Sequence, residues 1–122
     1  MKFVGSHGML GRLSMNVSAG VASSSALCFP LESLLLALNW THIDYFSLDV
    51  EGFELDILRS LPFNRLHIDV ISVEFGHARE PRSEYHRLLT KHGYALYDTV
   101  HSAGDDVFVK KHLLNNKTDR AS

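Results

Sequence analysis

Two apolar segments, each followed by a helical pattern, constrain the fold more than any other feature of this sequence. Residues 43–50 and 67–75 are rich in β-branched and aromatic side chains, which is typical of strands covered on both faces. Apolar residues at 53, 57, 58 and 61 share one helical face, and residues 81–92 predict a second helix that Gly93 ends. Strands alternating with helices predict an α/β fold with a parallel sheet.

The flanking segments have weaker patterns. Pro30 and the leucines that follow it predict a helix over residues 30–39. Residues 94–101 and 107–111 predict a terminal antiparallel hairpin around the turn at 102–106. The Gly- and Ser-rich residues 1–28 predict loop with at most one short strand, at 15–19, and the polar residues 112–122 predict a frayed tail. We therefore expect the domain to span residues 1–111. The first glycines favour ordinary loop over a phosphate-binding loop, because we expect no strand to lead into them: Gly5, Gly8 and Gly11.

Composition excludes several classes of protein. The chain has 122 residues, 45% of them apolar, with 14 acidic and 12 basic side chains, so it can bury a core as one ordinary domain. The single adjacent basic pair, Lys110-Lys111, argues against nucleic acid as a partner. No apolar run approaches the roughly 18–20 residues that cross a bilayer, and no signal peptide is recognised, so we expect no membrane insertion by this chain. The lone Cys28 gives no clue to the compartment.

Acidic residues follow both predicted strands. Asp49 and Glu51 come at the end of the first, with Glu54 one turn later, while Glu74 comes at the end of the second and His77 follows it. Carboxyl ends of neighbouring parallel strands meet at one sheet edge, so we expect these side chains to converge. They could orient a substrate amine or hydroxyl, act as a general base or hold a hard cation. For Glu51 and Glu54 the alternative is structural, because acids are favoured in the first turn of a helix.

Other chemistries have little support. The eight histidines show no H-E-x-x-H spacing and there is no cysteine pair, so a dedicated metal site is not expected, and Asp49, Glu74 and His77 are the one group to test for it. No G-x-S-x-G elbow is present, and Cys28 lies in an apolar setting, which argues against nucleophilic hydrolysis.

Three Asn-X-Ser/Thr sequons are candidates for glycosylation. They begin at Asn16, Asn39 and Asn116, where chance predicts about 0.7 for this composition. The alternative is coincidence in loops, where these residue types concentrate.

Several segments resemble the later half of an FkbM-type methyltransferase domain. They are residues 28–35, the D-Y-F-S-L-D-V-E-G-F-E-L segment within 43–55, and I-S-V-E at 71–74. The similarity covers about residues 1–111 and is greatest to the animal Star-like branch. The residues at the family's motif positions are Asp49, Glu51, Gly52, Glu54 and Glu74.

The resemblance implies a partial S-adenosylmethionine-dependent, Rossmann-like fold. The strand ending at Asp49 would be its fourth, the one ending at Glu74 its fifth, and the hairpin its sixth and seventh. The first strands and the glycine-containing cofactor loop have no counterpart here, so we expect this chain to be inactive alone and S-adenosylmethionine to bind only the complete domain.

Two functions follow from the resemblance. The first is methyl transfer to an oxygen of a small molecule or glycan, with Asp49 or Glu74 as the base. The second is a non-catalytic Star-like module that binds secretory cargo, in which the sequons would fit a lumenal domain of an ER or Golgi membrane protein; otherwise the parent would be cytoplasmic. In either case strand 43–50 would have an unpaired edge, so we expect self-association.

Overall fold

The computed structural model describes residues 29–115 and the short segments 2–5, 11–14 and 23–25. The chain has a mixed α/β architecture that is consistent with a partial Rossmann-like methyltransferase fold. The helices are α1 (Leu31–Ala37), α2 (Glu54–Ser60), α3 (Arg82–Lys91) and α4 (Lys111–Asn115). The strands are β1 (Lys2–Gly5), β2 (Gly11–Ser14), β3 (Ser23–Ser25), β4 (His42–Leu48), β5 (His67–Glu74), β6 (Tyr94–Val100) and β7 (Asp105–Lys110).

The four later strands form one sheet in the order β4-β5-β7-β6. β4 and β5 are parallel, and their last aligned pair is Leu48 and Val73. β7 is antiparallel to both β5 and β6. The predicted parallel strands, the three predicted helices and the terminal hairpin are therefore confirmed, and the hairpin's second strand lies between β5 and β6.

The core lies between this sheet and helices α2 and α3. Helix α3 ends at Lys91, one residue before the predicted end. The predicted stop is confirmed, because Gly93 adopts a φ of 86°, a conformation that glycine accepts without strain. Tyr94 is fully buried and donates a hydrogen bond from its hydroxyl to the Ile68 carbonyl at 2.7 Å. Burial, with a smaller effect from the charge of Asp69, raises the pKa of Tyr94. The buried apolar residues are Leu35, Leu48, Leu55, Leu58, Leu61, Leu66, Ile68, Ile71, Val73, Tyr85, Leu89, Tyr94 and Phe108.

The expectation that both faces of β4 are covered was wrong. Tyr45 is 58% exposed, and most of the strand is exposed or half-buried. Within the described part of the chain, β4 pairs only with β5 and is an edge of the sheet. The apolar composition of β4 therefore does not mean that its faces are covered. One edge of the strand pairs with β5, and the other edge has no partner among the described residues.

Both terminal segments are more ordered than their sequences indicated. Strands β1, β2 and β3 form a separate antiparallel sheet in the order β2-β1-β3, because backbone pairing does not need the apolar alternation that the sequence lacks. Strand β1 leads into Gly5, contrary to expectation, while the strand predicted at 15–19 lies outside the described residues. Residues 112–115, expected to be frayed, belong to α4, which begins where the Lys111 amide donates to the Gly93 carbonyl at 3.0 Å.

Among the described residues, no helix has both the length and the apolarity that crossing a bilayer requires.

Candidate functional site

The acidic residues that follow β4 and β5 lie together at one edge of the sheet, the one formed by the carboxyl ends of these two parallel strands. Leu48 and Val73 are paired in parallel. Asp49 and Glu74, which directly follow them in the sequence, therefore lie side by side at the ends of the two strands. One carboxylate oxygen from each of Asp49, Glu54 and Glu74 lies within 4.8 Å of the others. Glu54 and Glu74 are buried, whereas Asp49 is exposed. The structure thus brings the three acids into one cluster, which we call the carboxylate cluster.

Glu54 holds the turn between β4 and α2. Its Oε1 accepts hydrogen bonds from the backbone amides of Val50 at 3.0 Å and Gly52 at 3.1 Å. The side chain is only 2% exposed. Glu51 and Gly52 both have positive φ, at 55° and 103°, which is uncommon for a residue other than glycine. The structural interpretation of Glu54 is therefore supported, although it acts through the turn rather than through the dipole of α2.

Two loops pack against each other at this edge: the first loop (residues 49–53) and the second loop (residues 75–80). A Cβ atom on Gly52 would lie 3.0 Å from the His77 carbonyl oxygen and 3.1 Å from Arg79 Cγ. The Arg79 guanidinium lies 3.9 Å from the centre of the Phe53 ring, a favourable cation–π contact. Gly52 is required by both its backbone conformation and this close approach.

The second loop encloses the Glu74 carboxylate. Glu74 is 7% exposed, and its Oε2 accepts the His77 backbone amide at 3.3 Å. A Cβ on Gly76 would lie 2.5 Å from Glu74 Oε1, and one on Gly104 would lie 3.6 Å from it. Because Gly76 has no side chain, the Glu74 carboxylate can occupy the space where a Cβ atom would otherwise lie.

His77 lies between two carboxylates. Its Nδ1 is 3.3 Å from Glu51 Oε2 and 3.4 Å from Glu74 Oε1. The imidazole side chain is 54% exposed, whereas the side chains of Glu51 and Glu74 are 24% and 9% exposed. His77 thus links the two loops and presents part of its ring to solvent.

Among the described residues, two groups of side chains have a spacing that could hold a cation. One is the carboxylate cluster, which differs from the sequence-based group of Asp49, Glu74 and His77 by containing Glu54 in place of the histidine. The other joins His42, Asp44 and Asp69 near the opposite end of β4 and β5. Hard cations prefer such oxygen ligands, but exposed acidic groups commonly adopt this spacing without a cation.

Sequence reasoning missed a buried network centred on Asp106. This residue of β7 is fully buried, and its carboxylate accepts hydrogen bonds from Arg82 Nε at 3.0 Å, Tyr85 Oη at 3.0 Å and Thr99 Oγ1 at 2.8 Å. Arg82 Nη2 also donates to it, and His86 Nε2 lies 2.7 Å from Oδ2. The sequence pattern assigns Asp106 to the turn at 102–106, and no local pattern distinguishes it from its neighbour Asp105.

This network changes the ionisation of its members. Burial alone would raise the pKa of Asp106, but the hydrogen bonds from Arg82, His86, Thr99 and Tyr85 outweigh burial and lower that pKa to about 2. The pKa of Tyr85 is raised by burial and by the negative charge of Asp106. Asp106 is therefore an ionised, fully partnered carboxylate between β7 and α3.

Of the glycosylation candidates, only Asn39 lies among the described residues. It is exposed after α1, with a φ of 54°, whereas Asn16 and Asn116 lie outside the described residues.

Comparison with known proteins identifies the family. The model of the methyltransferase FkbM domain matches residues 25–96, which is more than half of the chain and includes both loops of the site. The chain belongs to the FkbM methyltransferase domain family. Neither the curated proteins nor the solved structures gave a significant match.

Proposed function

We propose that this chain forms the acceptor side of an S-adenosylmethionine-dependent methyltransferase that methylates a hydroxyl oxygen of a small molecule or glycan. The observation that carries the proposal is the meeting of Asp49, Glu54 and Glu74 at the carboxyl ends of β4 and β5, within the segment that matches the FkbM family. Ligands of open α/β sheets bind at this edge.

The charges of the site suit a cationic cofactor. Four acidic side chains lie around the two loops: Asp49, Glu51, Glu54 and Glu74. The nearby Arg79 guanidinium lies over the Phe53 ring rather than in an ion pair with one of these acids. When bound, S-adenosylmethionine supplies a methyl group on a positively charged sulfonium. Negative side chains preorganised around such a group stabilise it without further rearrangement.

The chain's own residues have different tasks in this proposal. The exposed carboxylate of Asp49 accepts a hydrogen bond from the acceptor hydroxyl and orients it. Glu54 fixes the first loop through the Val50 and Gly52 amides, so that Asp49 stays in place. Correct orientation of the two reactants contributes a large part of the rate enhancement of a transfer reaction.

The Star-like trafficking module is the alternative. The family match does not distinguish this branch, and both functions use the same fold. They differ in what the acidic site does, because a binding module has no need of an oriented acceptor.

Transfer of a radiolabelled methyl group by the full-length natural protein tests the proposal. Methyl α-glucoside and phenol serve as simple hydroxyl acceptors, and cofactor binding is measured separately by calorimetry. We expect binding and transfer, with transfer reduced about 10- to 100-fold in Asp49→Asn, because a misoriented acceptor loses this much. Asp56→Asn, an exposed change on α2, is the matched control and should retain the wild-type rate. Absence of both cofactor binding and transfer would favour the binding module.

A further inference from the structure

We propose that His77 is the general base of this site, held by Glu51 and Glu74, and that the acceptor is therefore an alcohol or phenol rather than a group that is already ionised. This inference rests on the proposed function and assigns to His77 the proton transfer that the sequence had given to Asp49 or Glu74.

The two flanking carboxylates determine which ring nitrogen carries the proton. Nδ1 lies 3.3 Å from Glu51 Oε2 and 3.4 Å from Glu74 Oε1. Ionised carboxylates only accept hydrogen bonds, so the neutral ring is stabilised with its proton on Nδ1. Nε2, across the ring, then keeps its lone pair and can accept a proton.

Glu74 is poorly placed to be the base itself. It is 7% exposed, its Oε2 accepts the His77 amide, and its Oε1 faces His77 Nδ1. The His77 side chain is 54% exposed, so the ring, and not the acid behind it, can meet an acceptor. An exposed base oriented by a buried acid is a recurring arrangement in enzymes that activate hydroxyl groups.

The proton and electron balance of the step is simple. His77 Nε2 accepts the hydroxyl proton as the acceptor oxygen forms its bond to the methyl carbon of the sulfonium donor. The electron pair of the broken carbon–sulfur bond stays on sulfur, which becomes a neutral thioether. The imidazolium of His77 is stabilised by Glu51 and Glu74 and afterwards releases its proton to water.

The tautomer of His77 is the first test, and it requires no cofactor or acceptor. Nitrogen NMR of ¹⁵N-histidine-labelled protein, recorded at a pH where the ring is neutral, should show the proton on Nδ1. The double variant Glu51→Leu/Glu74→Gln should shift the population towards the Nε2–H form, with circular dichroism checking that it folds. Wild-type protein with the His77 proton on Nε2 would overturn the proposal.

Kinetics with the full-length natural protein provide the second test, again with methyl α-glucoside and phenol as acceptors. We expect His77→Gln to lower kcat about 100-fold or more and to leave cofactor affinity by calorimetry within twofold. His67→Gln, an exposed change at the opposite end of β5, is the control. An active wild type with an undiminished His77→Gln variant would refute the role of His77 alone, whereas a wild type that transfers no methyl group would refute the proposed function and this role with it.

Discussion

Replacing Asp106 with asparagine should destabilise the chain more than any other single loss of charge among the described residues. Its carboxylate is fully buried and takes hydrogen bonds from two elements: Arg82 and Tyr85 on α3, and Thr99 on β6. His86, also on α3, lies 2.7 Å from Oδ2. Asparagine has nearly the same shape, so the change tests the charge and the acceptor oxygens rather than the packing.

The magnitude follows from the ionisation of the group. Lowering the pKa from 3.8 to about 2 corresponds to about 2 kcal/mol in favour of the charged form. An asparagine side chain would also point its NH₂ group at the hydrogen-bond donors that surround Asp106, which lowers the stability of the fold by about 1 kcal/mol or more. The Arg82 side chain is 42% exposed, so it stays hydrated after the change. We expect a loss of about 3 kcal/mol, near the lower end for a broken buried ion pair.

Urea denaturation followed by circular dichroism measures this loss. Because the folded-state pKa is depressed, the stabilisation by the charge is complete above the ordinary pKa of 3.8 and is lost as the pH falls towards 2. The gap between wild type and Asp106→Asn should therefore be about 3 kcal/mol at pH 7 and narrow steadily below pH 4. The control Asp56→Asn, on the exposed side of α2, should change stability by less than about 1 kcal/mol at either pH. A gap at pH 7 below 1 kcal/mol, or one that is constant down to pH 2.5, would refute the reasoning.

Three further changes test other parts of the structure. Gly52→Val should cost about 2 kcal/mol or more in urea, because the φ of 103° and the 3.0 Å approach to the His77 carbonyl exclude a branched side chain; wild-type stability would mean that the first loop is wrongly placed. Tyr94→Phe should lower stability by about 1–2 kcal/mol through loss of the bond to Ile68, and an unchanged melting temperature would contradict this. The wild-type chain should self-associate in light scattering through the β4 edge, and Ser47→Lys on that strand should shift it towards a monomer of 13.7 kDa; a wild type that is monomeric at high micromolar concentration would refute the edge argument.

The order of strands and helices could be predicted because it is encoded locally. Gly52, Pro62 and Gly93 each end or begin an element through backbone restrictions that do not depend on the rest of the fold. The exposure of β4 could not be predicted in the same way. A run such as Tyr45-Phe46 has the composition of a covered strand, but whether it is covered depends on which other elements lie beside it, and that is a property of the tertiary structure.

The candidate site was predictable to the extent that it depends on parallel register. Asp49 and Glu74 were expected to meet because each directly follows a parallel strand, and the register does bring them together. The role of Glu54 could not be decided, since helix-dipole stabilisation and turn capping both favour an acid there. The network of Asp106 was out of reach, because its five members are spread from residue 82 to residue 106 and share no local motif.

The buried network also supports the site. The Arg82 guanidinium, which is hydrogen-bonded to Asp106, lies 4.0 Å from the centre of the Phe75 ring, and Phe75 begins the second loop directly after Glu74. The Phe75 amide donates to the Gly104 carbonyl at 2.8 Å, and Gly104 directly precedes β7. The start of the second loop is therefore fixed from both sides, by α3 through Arg82 and by the β6–β7 turn through Gly104. Because Glu74 and the loop that carries His77 depend on this support, Asp106→Asn should disturb the His77 ring even where the chain stays folded, and the NMR signals of His77 would then change while those of His67 remain as in the wild type.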